Sequence, residues 1–585
     1  MKKAYLIVLL LFSCVLFSQN NYNRTWATYF GGQGTSVVGS ITDDFDNLIV
    51  VAQILGNNNA ILQDVSYYNQ FKTTTGTPYS APSGTNSYQS IIAKFSPTGT
   101  LIKASYLPFE AGAIKTGKLN KILITGSSVN NNTLGTPGTW IPNSQSIATI
   151  GILAQLNEDL NINWLSYLPT DSSNCTFEVD DNNNIFGCFN TSISSNITTS
   201  NTFQPNFITE YDTNNNLIPN GFVFKLNNQG QLQWATYYGL LSTGDIVLNN
   251  NEVIINAIRS DNLPQYDSLY CTQPNCQLQN TTQVVSKFDS VTGQRTWSKY
   301  MPESEFYVGE MVTDGVNVYI LSTIANNAVT SQNAYQPIHG GSIDLYLAKF
   351  DANFQRQWGT FIGGDSFDAF SVYVNSTLFY KNNALYLAGY TESTTNFVTC
   401  TTPFSATRQG NSDNFIMKFS DTGSLLWGSY YGGLNDENTE VSISSGNNDS
   451  FYISGTTFST QGMSTVGSHQ PNMSIHPLSF GFNEINSYIA KFSPVVLSSD
   501  SFTENEIQIY PNPSNGIVTI SGGNLSKEKH QLTIYNELGQ QVYNKNMALF
   551  NEYIINLSHL SKGVYFITLQ SEESNLKQTE KLIIK

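Results

Sequence analysis

Residues Phe415 to Gly433 read FIMKFSDTGSLLWGSYYGG. A β-type run ends at Lys418-Phe419, a Ser-Asp-Gly turn follows, and a second run carries Trp427 and Tyr430-Tyr431 before it stops at Gly432-Gly433. Two apolar runs about a tight polar turn predict an antiparallel hairpin. The Lys-Phe element returns at Lys94-Phe95, Lys225-Leu226, Lys287-Phe288, Lys349-Phe350 and Lys491-Phe492, with Gln155-Leu156 as a degenerate copy. The Trp element returns at Trp26, Trp164, Trp234, Trp297 and Trp358, with Lys103 in the Trp place ahead of Ala104-Ser105-Tyr106. Each series therefore has seven members, and Trp-type positions lie 61 to 77 residues apart.

A third element sits between them: an apolar run, a turn of Asp, Asn or Gly, and another apolar run. It reads VDDNNNIFG at Val179–Gly187 and YKNNALYLAG at Tyr380–Gly389. Each unit offers about four short strands and no amphipathic helix of useful length. Four-stranded units repeated in series predict an all-β fold, a β-propeller whose sheets bury both faces against their neighbours. A string of small β-sandwiches is the alternative, disfavoured because one unit is small for an independent core. The repeat is out of phase with the chain. It opens on a Trp element, Thr25 to Tyr29, and closes on a Lys-Phe element, Tyr488 to Phe492. Pairing the two leaves no unmatched strand and no exposed sheet edge. The expectation is a seven-bladed β-propeller over 19–497, closed by Thr25–Phe30 against Tyr488–Phe492.

The units resemble the bacterial β-propeller repeats called SBBP repeats, which carry W-x-x-Y-x-G-G, a D-x-x-x-N hairpin and an A-K-F strand. Trp358 to Gly364 and Trp427 to Gly433 match well, and the second and third units are degraded. The resemblance runs from Thr25 to Pro494. It implies an extracytoplasmic propeller with no agreed catalytic activity.

Lys2 and Lys3, then the apolar run Ala4 to Phe17 and a small Ser18, predict a signal peptide over 1–18. Cys14 raises a lipid anchor, but Phe12 is bulky for a lipobox and the apolar run continues past the Cys. No other run approaches the ~20 apolar residues of a membrane span, so no transmembrane segment is expected. The net charge is −16 and its acid excess lies mid-chain, which argues against nucleic acid as a partner and suits a soluble exported surface. Export also puts the cysteines in an oxidising compartment. Cys175 and Cys188 flank a turn and predict a cross-strand disulfide; Cys271 and Cys276 are spaced to close a small loop. Neither spacing is that of a zinc site.

Beyond a linker at 498–505 the pattern changes. Tyr510-Pro511-Asn512-Pro513-Ser514-Asn515-Gly516 combines stiff prolines with an Asn-Gly turn, and the β-type runs that follow predict a small β-sandwich over 506–585. With Ile534 to Gly539, Leu560 to Tyr565 (which includes Gly563) and the Lys581–Lys585 end, this module resembles the type A C-terminal sorting domain of type IX secretion cargo in Bacteroidota. That resemblance implies Sec export and recognition by the type IX machinery at the outer membrane. It also implies removal of the tail as a rule, with the mature protein anchored to surface lipopolysaccharide or released. A fibronectin-like adhesive module is the plainer alternative.

No H-E-x-x-H, G-x-S-x-G, P-loop or dinucleotide motif is present, so no catalytic, cofactor-binding or metal residues are assigned. Acidic turns such as Asp43-Asp44-Phe45-Asp46 offer oxygen ligands to calcium. They lack the spacing of a known calcium loop, and Asp and Asn also build such turns by bonding their own backbone. The expected function is an exported, cell-surface or extracellular binding or adhesion module without catalysis, its ligand a glycan or an envelope protein. The alternatives are a structural or motility-associated envelope protein and a polysaccharide-acting enzyme.

Overall fold

A computed structural model describes residues 21–31, 34–54, 89–128, 134–143, 150–170, 175–212, 214–259, 283–301, 309–324, 330–370, 376–400, 403–473, 485–495, 508–521, 529–547, 552–571 and 577–585. The signal run 1–18, the linker 498–505, and Cys271 and Cys276 lie outside them. Among the described residues the fold is all-β, with one 3-10 turn at Lys118–Asn120 and no α-helix. The chain divides into two compact units, Met1–Val495 and Val496–Lys585.

Among the described residues the first unit contains seven antiparallel sheets. Sheet 1 runs Thr35–Thr42, Leu48–Ile54, Gln89–Phe95 and Leu101–Leu107, each strand bonded to the next. Sheets 2 to 5 repeat that order over 110–168, 176–237, 241–300 and 310–362. Sheet 6, over 368–431, has its first strand in two pieces, Asp368–Ala369 and Leu378–Lys381. Sheet 7 takes Glu437–Ser445, Phe451–Thr457 and Asn486–Pro494 from late in the unit and Tyr22–Phe30 from its start. The pairing expected across this gap is present, with Trp26 opposite Lys491 and Phe30 opposite Ser487.

Burial explains the strand patterns. Second strands are covered on both faces: every residue of Ile122–Ser128 (ILITGSS) is buried, so the run is continuously apolar or small rather than alternating. Fourth strands enter from solvent; Leu101–Leu107 is partly exposed over its first three residues and buried over its last four. In all seven sheets the Lys-type residue stands directly opposite the Trp-type residue: Lys94 and Lys103, Gln155 and Trp164, Lys225 and Trp234, Lys287 and Trp297, Lys349 and Trp358, Lys418 and Trp427, Lys491 and Trp26. A register shift lies beside each of these pairs, where one strand carries an extra residue and twists.

This opposed pair reaches into the next sheet. The Trp164 indole donates to the Asn228 carbonyl in the sheet 3 turn (3.0 Å), Trp234 to Ser290 in sheet 4 (3.1 Å) and Trp358 to Asp421 in sheet 6 (2.9 Å). Lys225 donates to the same Ser290 carbonyl and Lys349 to the same Asp421 carbonyl. Lys103, in its Trp position, pairs with Asp159 of sheet 2 (3.4 Å). Lys287 reaches the Ala352 carbonyl of sheet 5 (2.8 Å), and Trp297 stacks on Phe354. Lys418 pairs with Asp449 of sheet 7 (2.7 Å), while Trp427 packs against Tyr22 at 5.0 Å. From sheet 7, Trp26 donates to the Pro97 carbonyl of sheet 1 (2.8 Å) and Lys491 pairs with Asp46 of sheet 1 (2.6 Å). The first strands also touch in succession from sheet 1 to sheet 7, and sheet 7 touches sheet 1, where Thr42 donates to the Ser445 carbonyl (2.6 Å).

Several of these indoles lie over a turn that has no room for a β-carbon. At Gly423, φ is +85° and an added Cβ would stand 2.9 Å from the Trp358 ring. Gly315 has a similar φ of +89° but open space around it. Gly423→Ala is expected to destabilise by about 2–4 kcal/mol, from left-handed strain plus overpacking, and Gly315→Ala by about 1–2 kcal/mol from strain alone. Urea unfolding of the two variants measures the difference; equal costs would show that the ring contact adds nothing.

Candidate functional site

In the second unit, sheets of three strands (Gln508–Tyr510, Ile517–Ser521, Glu552–Asn556) and four strands (Gln541–Met547, His530–Asn536, Gly563–Ser571, Lys577–Ile584) share one apolar cluster that includes Val518, Ile520, Ile534, Ile567 and Leu582. The Tyr510 to Gly516 segment ties the first strand to the last. Asn512 donates its amide to the Lys581 carbonyl (2.6 Å) and accepts from the Ile583 N–H (2.9 Å). Ser514 exchanges backbone bonds with Ile583 (2.8 Å) and Lys585 (2.9 Å). The Tyr510 hydroxyl donates to Glu552 (2.6 Å). The Gly516 carbonyl accepts from Leu557 N–H (2.5 Å). Pro511, Pro513 and Asn515 are exposed on this clasp.

The other motif residues lie elsewhere in the same unit. Gly539 closes the Asn536 turn with a left-handed φ of +75°, Gly563 opens the strand opposite Ile584, and Tyr565 donates to the Ser561 carbonyl (2.8 Å). Ser514 belongs to the clasp although its residue type does not single it out, because its backbone, not its side chain, holds Lys585.

In the first unit a cavity of about 380 Å³ is lined by all seven sheets, among others by Ser40, Lys115, Glu178, Val247, Glu310, Ser376 and Ser444. Lys115 pairs with Glu178 at 2.6 Å. Burial works to strip the Lys115 proton, but Glu178 and then Asp245 outweigh it and hold the ammonium above its ordinary range. Burial pushes Glu310 up to about 7 and Asp245 up to about 6, despite the N–H of Thr377 bonded to the first (2.7 Å) and that of Met311 to the second (2.7 Å). Phe379 and Tyr380 supply aromatic surface. A second cavity of about 440 Å³ shares Thr42, Thr116, Val179 and Ser445 with the first and carries the hairpin turns with Asp43, Asp44, Asp180 and Asp181. Asp43 is bonded to Lys94 (2.8 Å) and Asp46 to Lys491, so these carboxylates of the acidic turn serve the sheet packing.

Two expectations about small motifs meet a physical reason. Gly432-Gly433 does more than end a strand: an added Cβ at Gly432 would lie 2.3 Å from Glu437 and 2.5 Å from Asp413, whose buried carboxyl groups meet beneath it. The predicted disulfide between Cys175 and Cys188 is not formed, and both are free thiols. Thr176, not Cys175, stands opposite Cys188. Neighbouring residues of a strand point to opposite faces, so Cys175 packs with Phe177 in one core cluster and Cys188 with Phe186 in another.

Comparison with known proteins places residues 508–585 in the family of secretion system C-terminal sorting domains. Over 88 residues, 15% of this chain, the sequence is 36% identical to ulvan lyase NLR42 of Nonlabens ulvanivorans; the chain spans 16% of that protein's length. Among solved structures, the Dos1 propeller is similar over 81% of this chain and 95% of its own, at 8% identity and a TM-score of 0.34. A Dyadobacter fermentans protein of unknown function is similar over 63% and 94%, also at 8% identity, with a TM-score of 0.33. Among the described residues no helix is long and apolar enough to cross a membrane.

Asn512→Ala is expected to cost about 1–3 kcal/mol of the second unit's stability, because the last strand loses two bonds at once; thermal unfolding of the full chain checks it. A pH effect belongs to the acid pair. Burial, then Asp413, raises Glu437 above its ordinary value of 4.5. The folded chain therefore keeps a proton that the unfolded carboxyl releases, and stability falls as pH rises above 4.5, by on the order of 1 kcal/mol per unit. Glu437→Gln should flatten that slope in urea melts between pH 5 and pH 8. The sorting domain marks the protein as type IX cargo, exported to the cell surface or beyond.

Proposed function

We propose that the exported chain is a seven-bladed β-propeller carrying a small β-sandwich as its sorting tail, and that it works outside the cell as a non-catalytic binding module for a neutral glycan. The cavity lined by all seven sheets carries this reading. Its lining sets hydroxyls of Thr116 and Ser376 beside the aromatic side chains of Phe379 and Tyr380, the combination that takes up a sugar by hydrogen bonds and ring stacking. The Lys115 ammonium in that lining is already held by Glu178, so an anionic ligand finds that cation paired. The propeller reading is supported by the succession of first-strand contacts, by the Trp and Lys bonds that lead from each sheet to the next, and by Trp26 opposite Lys491.

A second reading, a polysaccharide-acting enzyme, draws on Glu310 and Asp245. Carboxyls raised to about 7 and about 6 beside an ammonium have the protonation range of a general acid or base. Similarity to ulvan lyase over 88 residues points the same way.

The purified chain on a glycan array, with a polysaccharide-cleavage screen in parallel, separates the readings. Binding without product is expected, weakened about tenfold by Tyr380→Ala. Oligosaccharide release that Glu310→Gln abolishes would replace the binding module with the enzyme, and silence in both assays would overturn both readings.

A further inference from the structure

The sorting unit has two outward sheet faces of different chemistry. On the four-stranded sheet, Gln531 and Thr533 stand opposite Asn546 and Asn544 on one side, and opposite Gln570 and Thr568 on the other. That face is polar except at one end, where Tyr535 meets Phe566. On the three-stranded sheet, alternate residues Val518, Ile520 and Ile555 point into the core and are at most 3% exposed. Their neighbours point out. Tyr510 stands opposite Thr519 and Thr519 opposite Ile554, which makes one row across all three strands, and Ile517 lies on the same face two residues before Thr519. Ile554 is 68% exposed, Ile517 56% and Tyr510 42%.

Single exposed apolar residues need no explanation, but a row of them on one sheet face of a small unit does. The anchors are also stiff. Both isoleucines are β-branched on paired strands, and the Tyr510 ring is held by its bond to Glu552 (2.6 Å). Preorganised aromatic and β-branched side chains lose little freedom on docking, which is how a few residues carry most of a binding energy. A sorting domain acts by being recognised, so the partner that covers such a face is the one that reads the domain.

We infer that the outer face of the three-stranded sheet, centred on Tyr510, Ile517, Thr519 and Ile554, is the surface by which the outer-membrane type IX machinery grips the folded tail. The inference rests on the sorting role of residues 508–585 and assigns that role to one face. The motif residues Asn512, Ser514 and Gly516 then act as support, clasping the first strand to the last and so holding the face in shape.

The test uses the full chain expressed in a bacterium with type IX secretion. Ile517→Thr with Ile554→Thr keeps the branching that suits a strand and removes the apolar surface. Surface display is expected to fall about tenfold with accumulation in the periplasm, while the thermal midpoint of the purified chain stays within about 2–4 °C. Thr519→Asp, which puts a charge at the centre of the row without removing core packing, should do the same, and Gln531→Lys on the other sheet should leave display intact. Normal display of the folded double variant or of Thr519→Asp would overturn the assignment. So would a self-association of the purified chain that the double variant abolishes without loss of display, since the face would then join two copies. Deletion of 508–585 is the separate control: if display survives it, the sorting role itself fails, whatever the face does.

Discussion

One contact recurs through the first unit, at Trp26, Trp164, Trp234 and Trp358: an indole N–H on the last strand of a sheet donating to a backbone carbonyl in the turn of the next. Turn carbonyls at the end of a β-hairpin have no ladder partner, and a buried one without a donor costs about 1–3 kcal/mol. The Trp ring satisfies that carbonyl with its polar edge and covers the turn with its apolar face. The Lys opposite it either shares the acceptor, as Lys225 shares Ser290 and Lys349 shares Asp421, or pairs with a turn carboxylate, as Lys418 does with Asp449 and Lys491 with Asp46. These ammonium groups are well covered and lie over aromatic rings, Lys418 above Tyr386 and Lys491 above Tyr452. Removing either partner would strand a buried charge, which constrains the motif most where it carries a carboxylate.

The same contact accounts for the phase of the repeat. Each last strand must face both its own third strand and the turn of the following sheet, so the last strand of sheet 7 must meet sheet 1. Drawing that strand from the start of the chain satisfies both demands. Trp26 is opposite Lys491 and bonded to Pro97, and Tyr22 binds Lys418 and Asp449 through one hydroxyl. The unit is thus stitched by segments over 400 residues apart, and no sheet has to present an unpaired Asn486–Pro494 edge. The first and last described strands of the unit meet there, with Tyr22 in register with Pro494.

Much of this was legible because repetition averages over local noise. The Lys-Phe and Trp elements, the Asp and Asn turns and the out-of-phase ends all pointed to the sheets and pairing that the structure contains. What could not be read was register and depth. Cys175 and Cys188 sit symmetrically about a turn in sequence, yet a one-residue offset puts them on opposite faces. The Gly-Gly ending looked like a strand exit, and only the fold reveals the Glu437 and Asp413 carboxyls packed beneath it. The cavity was the least legible of all. Equivalent first-strand places hold Ile41, Lys115, Glu178, Val247, Val312, Phe379 and Ser444, which share no one residue type, so self-comparison of the chain passes over them.

That divergence follows from the architecture. Second and third strands are covered on both faces and last strands carry the side chain, a Trp or Lys103, that reaches the following sheet, so substitutions there disturb a neighbouring sheet. A first strand is paired on one side only and turns its other side to the cavity. It is held by backbone bonds to the second strand, which any residue except Pro supplies. Side chains such as Lys115, Glu178 and Glu310 are therefore free to differ from sheet to sheet while the packing between sheets stays constant. Charge is the one constraint that remains, since the cavity is enclosed enough to raise carboxyl groups. An added ammonium needs a carboxylate nearby, as Lys115 has in Glu178, and an added carboxylate without a cation takes up a proton, as Glu310 begins to do near neutral pH. A cavity built under that rule can change the shape and polarity of its lining from sheet to sheet more freely than its charge, because each added ion must find a partner or give up its ionised form.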